Sequence, residues 1–176
     1  IKGKRVFALT SDYVFGHDLA KAAKAFVTSN GGTVVADELT ATDTTDFSPF
    51  LLKIRQAKPD LVATNLGGNQ VTNFVKQYAE YGLSFPVAGF NLNTADAWAA
   101  GEGNLAGYWP TVWHHEIDTP GTKKFVADFQ KKYNKRPENH AWIEYVSLKI
   151  MAQAINATKG TDTDKLIAYL CLLYTS

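Results

Sequence analysis

The stretch RVFALTSDYVFGHDLAKAAKAFVTSNGGTVV, residues 5–35, decides the fold. Arg5–Thr10 is a continuous apolar run of the kind needed by a strand covered on both faces. From His17 to Asn30, the residues Leu19, Ala22, Ala23, Phe26 and Val27 recur at helical spacing, and Gly31-Gly32 supplies a C-terminal stop. Thr33–Leu39 then reads as a second strand. Between the first strand and the helix lies a short loop carrying Ser11, Asp12, Tyr13 and Phe15, with His17 at the helix start.

The alternation continues down the chain. Ser48 is the expected N-cap of a helix with Pro49 in its first turn and Phe50, Leu51 and Ile54 on one face. Asp60–Leu66 is a third strand, closed by Gly67-Gly68, and residues 70–81 are amphipathic through Val71, Phe74, Val75 and Tyr78. Phe85–Phe90 is a fourth strand, followed by a short helix capped by Asn93 or Thr94. Leu105–His114 reads as a fifth, with Pro110 marking an edge or a bend. The fold class this predicts is α/β, a doubly wound parallel sheet with right-handed crossovers. After Pro120 two helices follow without an intervening strand, Gly121–Asn134 and Asn139–Lys159, and a third starts at Thr163 behind Asp162 or Thr163 as cap. The chain is therefore expected to pass into another layer or lobe near HHEIDTPGT, residues 114–122.

Charge and composition exclude several functions. Lys and Arg number 18 against 17 Asp and Glu, so no basic field is available to hold a nucleic-acid backbone. No apolar run approaches the roughly 20 residues that span a bilayer, so direct membrane insertion of this segment is not expected. The chain opens on Ile1 and reads as a piece cut from something longer. CLLYTS, residues 171–176, matches one reading frame of a transposon end used to prepare sequencing libraries, and is read as an artefact. Cys171, the only cysteine, goes with it, which leaves no thiol nucleophile, disulfide or zinc-thiolate site.

Ligands of doubly wound sheets lie beyond the carboxyl ends of the strands. That rule selects Ser11–Gly16, Asn65–Asn69, Asn91–Asn93 and His114–Pro120, the middle two rich in Gly and Asn, which let backbone approach a ligand. Ser11, Asp12 and His17 do not make a hydrolase triad: the Gly-x-Ser-x-Gly elbow is missing, and an Asp adjacent to its Ser does not readily reach the far side of the His. Ser11 and Asp12 are read as turn formers or ligand hydrogen-bonders. His114 and His115 would point to opposite faces of a strand, so a metal site is not expected, nor any cofactor. GEGNLAG, residues 101–107, is misspaced for a dinucleotide fingerprint and is read as a loop. Tyr108, Trp109, Trp113 and Trp142 are read as core, with Trp113 kept apart because it falls at the expected lobe crossing.

Residues 5–35, then TTDFSPFLLKIRQAKPDLV, FPVAGFN and FVADFQKKYNKRPENHAWIEYVSLKIMAQAI, resemble in order the periplasmic substrate-binding proteins of branched-chain amino acid ABC transporters, the type I leucine/isoleucine/valine-binding group. The resemblance covers residues 1–170. It implies two αβ lobes, joined by three crossing strands, that close on a small molecule and then dock on an ABC permease, in the periplasm or lipid-anchored outside the cell. Residues 1–116 would be the second lobe, and 117–170 the return crossing with helices of the first. It matches Phe15 to the aromatic before Gly in the family's first loop, and sets Gly67-Gly68-Asn69 where an aromatic is frequent. Asn91 aligns with the acid that holds the ligand ammonium in amino-acid binders. An amide does not neutralise a buried ammonium, so an uncharged or anionic ligand fits at least as well.

The expected ligand contacts are Ser11, Asp12, Tyr13, Phe15, Asn65, Gly67, Gly68, Asn69, Asn91 and Asn93, with no catalytic residue. Two other readings stay open: a ligand-sensing domain of a receptor or regulator on the same fold, and an α/β hydrolase or reductase.

Overall fold

The computed structural model describes residues 4–173 apart from 91, 102 and 106. The chain divides into two compact units, residues 1–112 and 113–176. In the first, four parallel strands lie in the order β2-β1-β3-β4. They are β1 (Arg5–Ser11), β2 (Thr33–Thr40), β3 (Leu61–Asn65) and β4 (Val87–Gly89). Interior β1 is buried from Val6 to Ser11, which is why its sequence is a continuous apolar run. The strands alternate with helices α1 (Val14–Ser29), α2 (Ser48–Ala57) and α3 (Asn69–Glu80), and α4 (Thr94–Ala100) follows β4.

Helix α1 begins three residues ahead of the expected His17. Tyr13 is extended, with φ −157° and ψ 172°, and its carbonyl accepts the first helical bond from His17 N at 3.0 Å. The turn is compressed because Tyr13 N donates back to Ser11 O at 2.8 Å, and because Gly16 has no Cβ, which would overlap that same carbonyl oxygen. The strand-to-helix loop is thus shorter than its sequence suggests, and Phe15 lies in the first turn of α1.

Helix α2 likewise starts at Ser48, so Phe47 and not Ser48 is its N-cap. Asp46 takes the capping role, its Oδ1 accepting from Ser48 N at 2.9 Å. The Ser48 hydroxyl, and next its N–H, hold the Asp46 carboxyl below the usual carboxylate range. On one face of the sheet Phe7, Leu9 and Val62 pack against Leu51 and Ile54 of α2 and Val71, Phe74 and Tyr78 of α3. The Phe74 ring meets Phe47 edge-on at 5.8 Å and lies 5.3 Å from Tyr78. Tyr78 donates its hydroxyl to Phe85 O at 2.8 Å, and burial pushes the phenol up to about 12.

The expected fifth strand does not form among the described residues. Tyr108 makes a single parallel bridge to Ala88, donating to Val87 O at 2.8 Å and accepting from Gly89 N at 3.0 Å. The next donor along such a ladder is the nitrogen of Pro110, which carries no hydrogen; Pro110 O accepts from Leu92 N at 3.2 Å, but no second bridge forms among the described residues.

The second unit holds α5 (Pro120–Tyr133), α6 (Asn139–Thr158) and α7 (Thr163–Leu173), which continues through Cys171. Trp113 is buried here, stacked on Trp142 at 5.0 Å and edge-on to Phe125 at 5.8 Å, and its indole N–H donates to Thr122 Oγ1 at 3.1 Å. Thr119 caps α5, Glu138 caps α6 by accepting from His140 N and Ala141 N, and Asp162 Oδ1 accepts from Lys165 N at the start of α7. Helix α6 is apolar on several sides, and Tyr145, Leu148 and Met151 stand exposed.

Two stability predictions follow from this packing. Phe74→Ala lowers the unfolding free energy by about 3–5 kcal/mol, whereas Phe26→Ala, at a ring 70% exposed, stays within about 0.5 kcal/mol in the same urea titration. Asp60 Oδ2 accepts from Lys4 N and Arg5 N, each at 2.9 Å, and these bonds, Arg5 first, hold its carboxyl below the usual carboxylate range. Folding depresses this group, so its stabilisation is present above the unfolded value and disappears as pH falls through the folded one. Asp60→Ala therefore lowers the urea midpoint at pH 7, and the gap to the parent chain closes under acid.

Candidate functional site

At the carboxyl ends of β1, β2 and β3 the first unit carries a cavity of about 460 Å³. The turn after β1 contributes Ser11 and Tyr13, and the loop after β3 contributes Gly67, Gly68 and Asn69. Gly68, the N-cap of α3, holds φ 55° and ψ −137°, a conformation open in practice only to glycine. A Cβ on Gly67 would sit 3.2 Å from the Tyr13 hydroxyl and 4.0 Å from Phe15 Cε1. The rings of Tyr13 and Phe15, 5.8 Å apart and tilted by 32°, therefore lie close over bare backbone. Both rings are partly exposed and form an aromatic edge to the site.

The other wall is the loop between β2 and α2. Thr42, Asp43, Thr44 and Thr45 line it, with Gln70 and Asn73 of α3 beside them. Two glutamines, seven residues apart on α3, fix both ends of this loop. Gln70 Nε2 donates to Ala41 O at 2.7 Å and Thr40 Oγ1 at 3.2 Å. Gln77 Nε2 donates to Thr45 O at 2.8 Å, while its Oε1 accepts from Phe47 N at 2.7 Å. Thr44 N closes a turn on Ala41 O at 2.9 Å. Among the described residues lining the cavity, Asp43 is the one carboxylate and there is no Lys or Arg.

The structure brings Ser11, Tyr13, Phe15, Gly67, Gly68 and Asn69 together, as their strand-end positions predict. Asp12 stands apart: its Oδ1 pairs with His17 Nε2 at 2.8 Å, both side chains largely exposed. Among the described residues no hydrogen bond joins Ser11 to His17. Asn65 is fully buried in the sheet and does not line the cavity. Its Nδ2 donates to Thr10 Oγ1 at 2.9 Å, which donates in turn to Asp37 Oδ1 at 3.1 Å, and its Oδ1 has no protein partner. Asn93 uses its side chain to cap α4, accepting from Ala95 N at 3.0 Å. Asn91 lies outside the described residues. The sequence reading missed Thr42–Thr45, Gln70 and Asn73 because it applied the strand-end rule to four loops and passed over the one after β2.

A solute-binding protein of an ABC transporter from R. palustris, in complex with 4-hydroxybenzoate, is 27% identical, with a TM-score of 0.85 over 95% of this chain and 48% of that one. A second solute-binding protein, from Rhodopseudomonas palustris BisB5 in complex with 3,4-dihydroxy benzoic acid, is 29% identical with a TM-score of 0.78, over 94% of this chain and 47% of that one. Leu/Ile/Val-binding protein homolog 7 of Brucella suis is 28% identical over 173 residues, covering 92% of this chain and 43% of the relative. The chain thus spans a little under half the length of the curated relatives it matches. The profile of periplasmic binding proteins matches residues 1–170, the parallel sheet with its strand-end cavity included, and the chain belongs to that family.

Proposed function

We propose that this chain supplies one wall of the ligand cleft of a substrate-binding protein serving an ABC importer, and that the ligand is a small organic acid with a ring. The observation that carries this is the joining of an aromatic edge, Tyr13 and Phe15, to a cavity of hydroxyls and amides at the carboxyl end of the sheet. Such a site stacks on a flat molecule and orients it by hydrogen bonds. Asn91, where the resemblance sets a carboxylate in amino-acid binders, and the hydroxybenzoates bound by two related structures both favour a ligand without an ammonium group.

On this reading residues 1–116 are the second lobe, and 117–170 hold the return crossing and helices of the first. The apolar residues that α6 leaves exposed are then covered by the remainder of that lobe. Capture is a shift from open to closed lobes, and the closed form docks on a permease in the periplasm.

Calorimetry of the longer protein carrying this segment tests the assignment against benzoate, 4-hydroxybenzoate, leucine and valine. Micromolar binding of an aromatic acid, about −8 kcal/mol, is expected, with Phe15→Ala weakening it roughly tenfold. Preference for leucine or valine overturns the ligand class, and turnover of the bound molecule overturns the capture role. A separate measurement addresses the lobes: the 176-residue chain alone brightens a hydrophobic dye, and the longer protein does so much less.

A further inference from the structure

We propose that the loop between β2 and α2 is a polar subsite beside the aromatic edge, in which Asp43 selects a ring that carries a hydroxyl group. This rests on the capture reading and adds to it which end of the ligand enters the cavity.

The space itself calls for more than a bare ring. A cavity of roughly 150 Å³ holds benzene, whereas this one measures about 460 Å³ and continues from Tyr13 to the β2–α2 loop. An ionised carboxylate accepts hydrogen bonds and donates none, so the group opposite Asp43 must be a donor. Among the described residues no Lys or Arg lines the cavity to offset Asp43, so the ligand's own carboxylate is repelled from that end. An aromatic acid is thereby oriented with its ring hydroxyl toward Asp43 and its acid group away from the loop. The hydroxyls of Thr42, Thr44 and Thr45 both donate and accept, and they complement a second ring hydroxyl beside the first.

The loop is also built for recognition. Gln70 and Gln77 hold its two ends through main-chain atoms of Ala41, Thr45 and Phe47, so those ends are fixed before any ligand arrives. Neither glutamine was expected to matter from sequence. Their spacing of two helical turns puts both on the side of α3 that faces the loop.

The test compares benzoate, 4-hydroxybenzoate, 3,4-dihydroxybenzoate and leucine by calorimetry on the longer protein, parent sequence against Asp43→Asn. The substitution keeps size and one acceptor while removing the charge, and circular dichroism reports whether the fold is kept. Parent protein is expected to favour the hydroxylated acids over benzoate by about tenfold or more, and Asp43→Asn to narrow that preference below about threefold. Gln77→Leu frees one end of the loop and narrows it as well. Equal affinities in the parent protein, or a preference that Asp43→Asn leaves intact, overturn the subsite and leave capture of an aromatic acid standing. Leucine binding that Asp43→Asn abolishes assigns the carboxylate to an ammonium and overturns the hydroxyl. If no probe binds, both readings fall.

Discussion

Where α1 leaves the sheet, Gly16 lies against the Ser11 carbonyl so closely that any side chain there would overlap it. That contact fixes how soon the helix follows the strand. With Ser11 O also accepting from Tyr13 N, only Asp12 and Tyr13 are left between the two elements. The rings of Tyr13 and Phe15 are consequently placed at the carboxyl edge, over Gly67. The cavity depends on this arrangement, because its first wall is the turn that Gly16 compresses.

Beneath the cavity the strands are tied by buried polar side chains. Thr40 Oγ1 donates to Thr10 O across β2 and β1, and Asn65 reaches Thr10 from β3. Hydrogen bonds in such surroundings are directional and strong, so they set the register of three strand ends that apolar packing alone leaves adjustable. Thr64 Oγ1 and Asn65 Oδ1, buried without a protein partner, are the exceptions in this layer. A buried orphan acceptor is destabilising by about 1–3 kcal/mol. The end of β3 is therefore the place where the polar layer is least complete.

Much of this organisation is legible in the sequence, for identifiable reasons. Arg5–Thr10 announces an interior strand because burial on both faces removes alternation, and α3 announces itself through Val71, Phe74, Val75 and Tyr78 on one face. The errors have physical causes too. Pro110 reads as an edge or a bend, yet its lack of an N–H removes the next ladder bond and leaves one bridge among the described residues. Ser48 has the side chain of an N-cap, but the helix already begins at Ser48: Asp46 Oδ1 accepts from its N–H, and Phe50 N and Leu51 N both turn to Phe47 O. Asn65 looks like a ligand group because it ends a strand, whereas the pleat turns it inward onto Thr10. Pro110 and Asp46 act locally, whereas Asn65 is decided by a tertiary partner, which leaves no mark on local pattern. The β2–α2 wall was missed for a different reason: nothing in TATDTTD, residues 40–46, is periodic, and its order comes from glutamines about thirty residues away.

The glutamine clamp has a consequence for how such a protein changes over time. It grips carbonyls and one N–H of the loop's main chain, and Thr40 besides, so it does not depend on which side chains stand at residues 42–44. Those side chains are exposed or half-buried and lie outside the apolar core, so replacing them disturbs little of what keeps the sheet folded. Holding the loop and choosing what it touches are thus separate tasks, carried by different residues. A lineage built on this scaffold is free to acquire new ligands by drift in three adjacent codons, with the fold bearing almost none of the burden.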